Sequence, residues 1–303
     1  MKKNIDPIAT SALIGAVLCW ATVPLFLKYF TPYIDAWTAN GIRYPFAALL
    51  YLPWLIHFHL KGRLAWHHWK LALLPVAINT VSQIAWAWAP YYIDPGLMAF
   101  LIRLSTLWTV LGSFVLFHDE RRLVKSARFW WGLILALVGF IILTVAGKPL
   151  TSTATAIGVT LVMLTSIGWA GYQLSVRRNM QHMDSRAAFG MIAVLTSIGL
   201  ITCMFSFGNY QQIIGLPVQI TGLVLLSGLV GIATAHLLFY IAVKRIGVAI
   251  ASSANLASSF ITAILSTFLF GEMLHGLQWI AGLLLIIGAL FLTQSQIFVL
   301  RKY

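Results

Sequence analysis

Apolar residues run along this chain in ten long stretches separated by short polar punctuation, approximately 8–29, 37–58, 69–91, 95–117, 127–146, 154–175, 187–208, 218–241, 247–270 and 276–298. A hydrocarbon core about 30 Å thick needs roughly 20 apolar residues at about 1.5 Å of rise each. Each stretch meets that length, and the loops between them are too short to hold a soluble domain. The pattern predicts an all-α integral membrane protein of ten transmembrane helices. Polar residues inside the stretches recur at helical spacing, which places several on one face. Val248, Ser252, Asn255, Ser259, Thr262 and Ser266 form the longest such stripe. Asn79, Gln83 and Trp86 share a face of the third helix, and His236 and Tyr240 stand one turn apart on the eighth.

Composition sharpens this picture. Hydrophobic residues make up 60% of the chain and charged ones 9%, far from a soluble domain. A formal charge of +13 invites a nucleic-acid reading, but its distribution argues against one. Sixteen of the twenty basic residues fall in alternate loops or at the termini, among them Lys2, Lys3, Lys61, Arg121, Arg177, Lys244 and Lys302. Only Lys28 and Lys148 fall on the other side, while Arg43 and Arg103 lie within spans. That bias places both termini in the cytoplasm of a cell whose inner membrane the chain crosses. The N-terminal apolar run is too long for a signal peptide and lacks a small-residue cleavage site. Cys19 and Cys203 sit within apolar spans and suggest no disulfide framework.

The chain also repeats itself. Trp20-Ala21 in the first span matches Trp169-Ala170 in the sixth, and Lys28 matches Arg177 at the same offset of 149. Glu120 after the fourth span matches Glu272 after the ninth at an offset of 152, and glycine-punctuated helices follow both. Five spans per repeat is an odd number, so the second repeat enters the membrane from the opposite side. The expected organisation is a first five-helix repeat over 1–149 and an inverted one over 150–303. Transporters often use such inverted repeats, with the substrate site near the midplane between halves.

The stretches GEMLHGLQWIAGLLLIIGAL (271–290) and YIAVKRIGVAIASSANL (240–256) resemble the EamA family of the drug/metabolite transporter superfamily, and the likeness extends over essentially the whole chain. His118-Asp119-Glu120 departs from the Gly-Glu usual at that place, and the loop after it is longer. The resemblance implies a carrier, usually an exporter, whose central cavity is lined by helices 1, 3, 4, 6, 8 and 9. It implies substrates among amino acids, amines and other metabolites without choosing between them.

Polar residues in a bilayer belong against protein or a water-filled cavity. On that rule the candidate substrate contacts are Arg103, Asn79, Gln83, Trp20, Trp169, His236, Tyr240 and Asn255. Arg103 lies roughly 10 Å into its helix, and its rigid donor fork suits a carboxylate. An intramolecular partner is the competing account of it. Small hydroxyl residues also serve tight helix packing, which is the competing account of the ninth-span serines. Arg43, beside Tyr44 and Pro45, reads as structural. All seven acidic residues fall at span ends or in loops, so a buried carboxylate relay for protons is unsupported. His57, His59, His67 and His68 cluster without acid or cysteine, and no metal site is expected. No phosphate-binding glycine loop appears, and neither cofactor nor catalytic set is expected.

The resulting expectation is a carrier, not an enzyme, moving a small carboxylate-bearing zwitterion or anion such as an amino acid by alternating access. Arg103 would hold the carboxylate, Asn79, Gln83 and Asn255 would orient it, and Trp20, Trp169 and Tyr240 would form the apolar wall. The rival is an exporter of organic cations held in a tryptophan cage. Beyond substrate and lipid, a homodimer is an assembly open to such a chain, and nucleic acid is not a partner.

Overall fold

The structure is a computed structural model that describes residues 6–117, 123, 125–146, 153–246 and 248–301. Lys2, Lys3, His118, Asp119, Glu120, Arg121, Arg122, Lys148 and Lys302 lie outside the described residues, and Val248 and Arg301 are described by backbone alone. Regular structure among the described residues is entirely helical.

In chain order the helices are α1 Pro7–Phe30, α2 Ala36–Leu49, α3 Leu52–Leu60, α4 Trp66–Trp88, α5 Pro95–Leu101, α6 Leu104–Leu116, α7 Ala127–Val145 and α8 Thr153–Met180. They continue as α9 Ser185–Phe207, α10 Gln212–Gly215, α11 Val218–Gly228, α12 Ala235–Ile246, α13 Val248–Asn255, α14 Ser258–Phe270 and α15 Gly276–Arg301. Eight helical stretches are long and apolar enough to cross a membrane. They are Pro7–Phe30, Trp66–Tyr91, Pro95–Leu116, Ala127–Val145, Thr153–Met180, Ser185–Phe207, Val218–Arg245 and Gly276–Ser295. The two remaining expected spans are interrupted. The second divides into α2 and α3 just before Pro53, whose missing N–H deprives the carbonyl one turn back of its donor. The ninth divides into α13 and α14 around Leu256 and Ala257.

Among the described residues, polar contacts between connections join loops of the same end. At one end Lys28 pairs with Asp94 at 3.1 Å, and Asp35 accepts from the Asn209 backbone at 3.0 Å. At the other, Arg245 pairs with Asp6 at 3.0 Å and Lys244 approaches Asp184 at 3.9 Å. Successive long helices therefore run back and forth between two polar ends.

Packing within the bundle follows the repeat. α4 lies on α8 and α1 on α12; α6 lies on α8 and α1 on α14. α2 packs on α9 and α7 on α15, each the partner of its own counterpart. Exchanging the two halves maps the first four pairings onto one another and the last two onto themselves. The α7–α15 contact is a seam of small residues, where Gly132, Ala136 and Gly139 meet Ala281, Leu285 and Gly288. Removing side chains there lets two backbones approach closely, which gives dispersion contact where the hydrophobic effect offers no drive. The opposite face of α7 exposes Trp130, Trp131, Ile134, Leu137, Ile141 and Val145, as a lipid-facing surface requires.

A Cβ on Gly139 would stand 2.6 Å from the Leu285 nitrogen and 2.7 Å from the Ala281 carbonyl, both backbone atoms that cannot rotate away. Gly139→Ala is expected to cost about 1–3 kcal/mol by overpacking, measured as a lowered Tm in detergent; Gly222→Ala, with open space around its Cβ, serves as the control.

Candidate functional site

The fourth membrane stretch breaks at its polar residue. Arg103 lies between α5 and α6, and its N–H bonds the Phe100 carbonyl at 3.0 Å, three residues back instead of four. That tightening leaves the Ala99 carbonyl without its helical donor. The Ser259 hydroxyl supplies one at 2.6 Å. The Arg103 guanidinium meets the same helix: Nε donates to Ser259 Oγ and Nη2 to Ser258 Oγ, each at 2.6 Å. Both acceptors are neutral hydroxyls. No carboxylate pairs with Arg103 among the described residues, because those ion pairs sit at the ends of the bundle. Two of the five guanidinium N–H donors are engaged, so a planar anion can still be gripped by the rest.

The ninth stretch carries the matching break. Asn255 closes α13, at the same offset of 152 from Arg103 that separates Glu120 from Glu272. Its Oδ1 is buried and has no hydrogen-bond partner. Just beyond, Thr262 donates to the Ala21 carbonyl at 2.8 Å, which ties the Arg103-bearing contact to α1 beside Trp20.

Trp20 is the bridge to a second group of side chains. Its ring meets His236 edge-on at 5.3 Å and Phe239 at 5.0 Å. His236 in turn stacks on Phe189 at 4.2 Å with 19° between planes, and Tyr240 approaches Phe189 at 6.1 Å. His236 Nδ1 lies 2.7 Å from the Ile232 carbonyl. That oxygen only accepts, so Nδ1 donates and Nε2 keeps a lone pair in the neutral ring. A six-residue π-helical turn, Leu229–Thr234, precedes His236 and rotates it relative to α11. Tyr51 crosses to this turn, its hydroxyl donating to the Ala233 carbonyl at 2.9 Å.

The other expected contacts separate from this group. Asn79 is buried and donates to the Tyr44 hydroxyl and to Thr196 Oγ, both at 3.2 Å, joining α4 to α2 and α9. Gln83 lends its backbone carbonyl to Asn40 at 2.8 Å, and its half-buried side chain makes no bond among the described residues. Trp169 packs on Trp86 at 5.2 Å, so Trp20 and Trp169 contact different rings and do not form one box. Arg43 is buried, donating to Ser227 Oγ at 2.7 Å and Asn40 Oδ1 at 3.3 Å, which fastens α2 to α11.

Three participants escape sequence reading. Phe189 has no polar signature, and Ser258 sits off the spacing that picks out Ser259. Glu272 reads as a cap at the start of its own following helix, yet its carboxylate bonds the first turn of α5 in the other half: Oε2 accepts from Gly96 N–H at 2.7 Å and Oε1 from Leu97 N–H at 3.0 Å. Burial pushes the Glu272 carboxyl above the usual carboxylate range, against the pull of those bonds and of Ser266.

Similarity to known proteins agrees with the helical arrangement. The model of the EamA-like transporter family matches twice, over residues 8–145 and 156–294. The chain belongs to the EamA-like transporter family. Its two matches give the two-repeat architecture of a multi-pass membrane transporter of small molecules. No curated protein matches the chain. Among solved structures, one titled only as the crystal structure of a protein aligns with a TM-score of 0.62 at 16% identity, over 97% of this chain and 98% of the other. That likeness is one of fold alone.

In this EamA-like bundle the Asn79 side chain holds three helices together, whereas Gln83 joins α4 to α2 through its backbone and not its side chain. Asn79→Ala is expected to lower stability by about 1–3 kcal/mol through its stranded partners, and Gln83→Ala to stay within about 0.5 kcal/mol. Thermal unfolding of both variants in detergent checks the difference.

Proposed function

We propose that this EamA-like protein is an alternating-access carrier for small carboxylate-bearing zwitterions or anions, amino acids among them, working as an exporter or exchanger. The observation behind this reading is Arg103: a guanidinium at a helix break deep in the bundle, bonded only to neutral hydroxyls. A cation in low dielectric gains most from an anion, and a carboxylate fits its fork bidentately. Counting α2–α3 and α13–α14 as interrupted crossings gives ten spans, arranged as inverted repeats over 1–149 and 150–303. The basic loops then face the cytoplasm of a cell whose inner membrane holds the chain, and Lys28, Asp94 and Glu272 lie at the outer end.

Within the site, Arg103 takes the carboxylate, and the Asn255 oxygen and His236 Nε2 offer acceptors to the substrate's donors. Trp20 and Tyr240 supply the apolar wall. Gln83 keeps a free amide for a substrate. Asn79, its amide donating to Tyr44 and Thr196, acts through the helices it fastens, and Trp169 contributes through Trp86. The cargo leaves chemically unchanged.

Counterflow in proteoliposomes tests the reading, with neutral amino acids, organic anions and quaternary amines as solutes. Loss of a charge-assisted hydrogen bond, about 1.5–3 kcal/mol, corresponds to roughly a 10- to 100-fold effect. Arg103→Ala is expected to reduce carboxylate exchange by that factor and Arg103→Lys by less, since lysine keeps the charge and loses the fork. Undiminished exchange in Arg103→Ala sinks the anchor. Exchange of amines alone, indifferent to Arg103, transfers the reading to an aromatic site around Trp20, Phe189 and His236.

A further inference from the structure

The helix that ends at Arg103 is held at both ends by the opposite half of the protein. α5 has seven residues. At its far end lie the bonds from Ser258 and Ser259 described above. At its near end α14 finishes on Gly271, whose φ of +66° reverses the chain and sends Glu272 back toward α5. The Glu272 carboxylate receives the N–H groups of Gly96 and Leu97, and Ser266 of α14 donates to its Oε2 at 2.5 Å. Asp94, the residue placed to cap α5 from within the first half, makes no such bond and pairs with Lys28. A side chain opposite the carboxylate would displace it, because a Cβ on Gly96 would stand 2.8 Å from Oε2. Between the two ends Phe100 packs edge-on against Phe260 of α14 at 5.3 Å and against Trp279 at 5.9 Å.

Exchanging the halves turns α5 into α13 and α14 into α6. The counterpart of the α5–α14 contact is therefore a contact between α6 and α13. α5 and α14 lie along one another; α6 and α13 do not, and α13 lies instead on α1, α12 and α15. Among the described residues, the α5–α14 seam is thus closed at the Glu272 end while its α6–α13 counterpart at the other end is open, although the sequence repeats.

We propose that Glu272 is the latch of the outer gate: a positioning residue that holds α5 against α14, closes that end, and seats Arg103 on Ser258 and Ser259. The proposal rests on the alternating-access reading above. Release of the Glu272 carboxylate from the Gly96 and Leu97 N–H groups frees α5 from α14, and closure of α6 on α13 replaces the lost contact at the cytoplasmic end.

The test uses spin-label pairs in nanodiscs, with Cys19 and Cys203 replaced by alanine. One pair, at Tyr92 and Leu269, reads the outer end; the other, at Val115 and Ser252, reads the inner end. Glu272→Ala removes the latch, and Gly96→Ala leaves the carboxylate in place but wedges it out. In both variants the outer distance is expected to lengthen and the inner to shorten in a population several-fold larger than in wild type. An unchanged pair of distances in both variants overturns the proposal, and so does an outer distance that lengthens while the inner stays fixed, which is loosening without gating. Counterflow on the same proteins separates the two readings. Distances that respond in a protein exchanging no carboxylate solute sink the substrate assignment and keep the latch. Exchange that runs in wild type and both variants with immobile distances sinks the latch alone.

Discussion

A helix that breaks inside a bilayer must find new partners for the backbone groups it frees, because lipid offers none. The centre of this protein is arranged around that requirement. Shortening the turn at Arg103 strands the Ala99 carbonyl, and the hydroxyl that satisfies it, Ser259, is the same one that receives the arginine. One serine thus pays the backbone debt of the first half and anchors the site's only guanidinium. The ninth stretch breaks at the matching place, and there the debt is incomplete: the Asn255 oxygen stays buried without a donor. An unsatisfied buried acceptor in a low-dielectric interior costs about 1–3 kcal/mol, which a substrate donor would recover.

The remaining packing serves to keep these two breaks in register. α7 and α15 run together on glycine and alanine with no polar contact needed, forming a rigid outer spine. α2 and α9 form another, tied together by the buried Asn79 of α4, while Arg43 fastens α2 to α11. Apart from the α2–α3 break at the end of one spine, the interruptions lie in the helices between them: α5–α6, α13–α14 and the π-helical turn before His236. Rigid seams at the edge and broken ladders at the centre put what motion the fold allows where the polar residues are.

Much of this was legible in the sequence, and the parts that were not have a common physical cause. Hydropathy and length located every long helix, since a bilayer enforces both. Trp20 with Trp169 disclosed a repeat because the two pack on equivalent helices, α12 and α4, while the match of Glu120 with Glu272 is one of sequence alone. Periodicity identified polar faces, but a face does not say which neighbour it meets. The stripe of the ninth stretch admitted both a cavity lining and tight helix packing, and three of its members spend their hydroxyls on packing contacts: Ser259 on Ala99, Thr262 on Ala21 and Ser266 on Glu272. Asn79 looked open to substrate for the same reason, and its partners come from stretches far away in sequence. Breaks were also illegible, because no proline marks those at Arg103 and Asn255; only Pro53 announces one.

On the proposed reading, the charge arrangement bears on the kind of transport as well as on the cargo. Among the described residues, every carboxylate lies at an end of the bundle, in ion pairs at Asp6, Asp94 and Asp184, as a helix cap at Asp35, or bound to α5 at Glu272. The interior therefore holds a fixed positive charge at Arg103 with nothing titratable and acidic beside it. On that reading a proton finds no carboxylate beside Arg103 to neutralise, and the charge that changes there on loading is the substrate's. An anion that leaves exposes the guanidinium to low dielectric, and a second anion entering restores the balance. On the proposed reading, that penalty on the empty carrier favours exchange of one carboxylate solute for another over net movement coupled to protons.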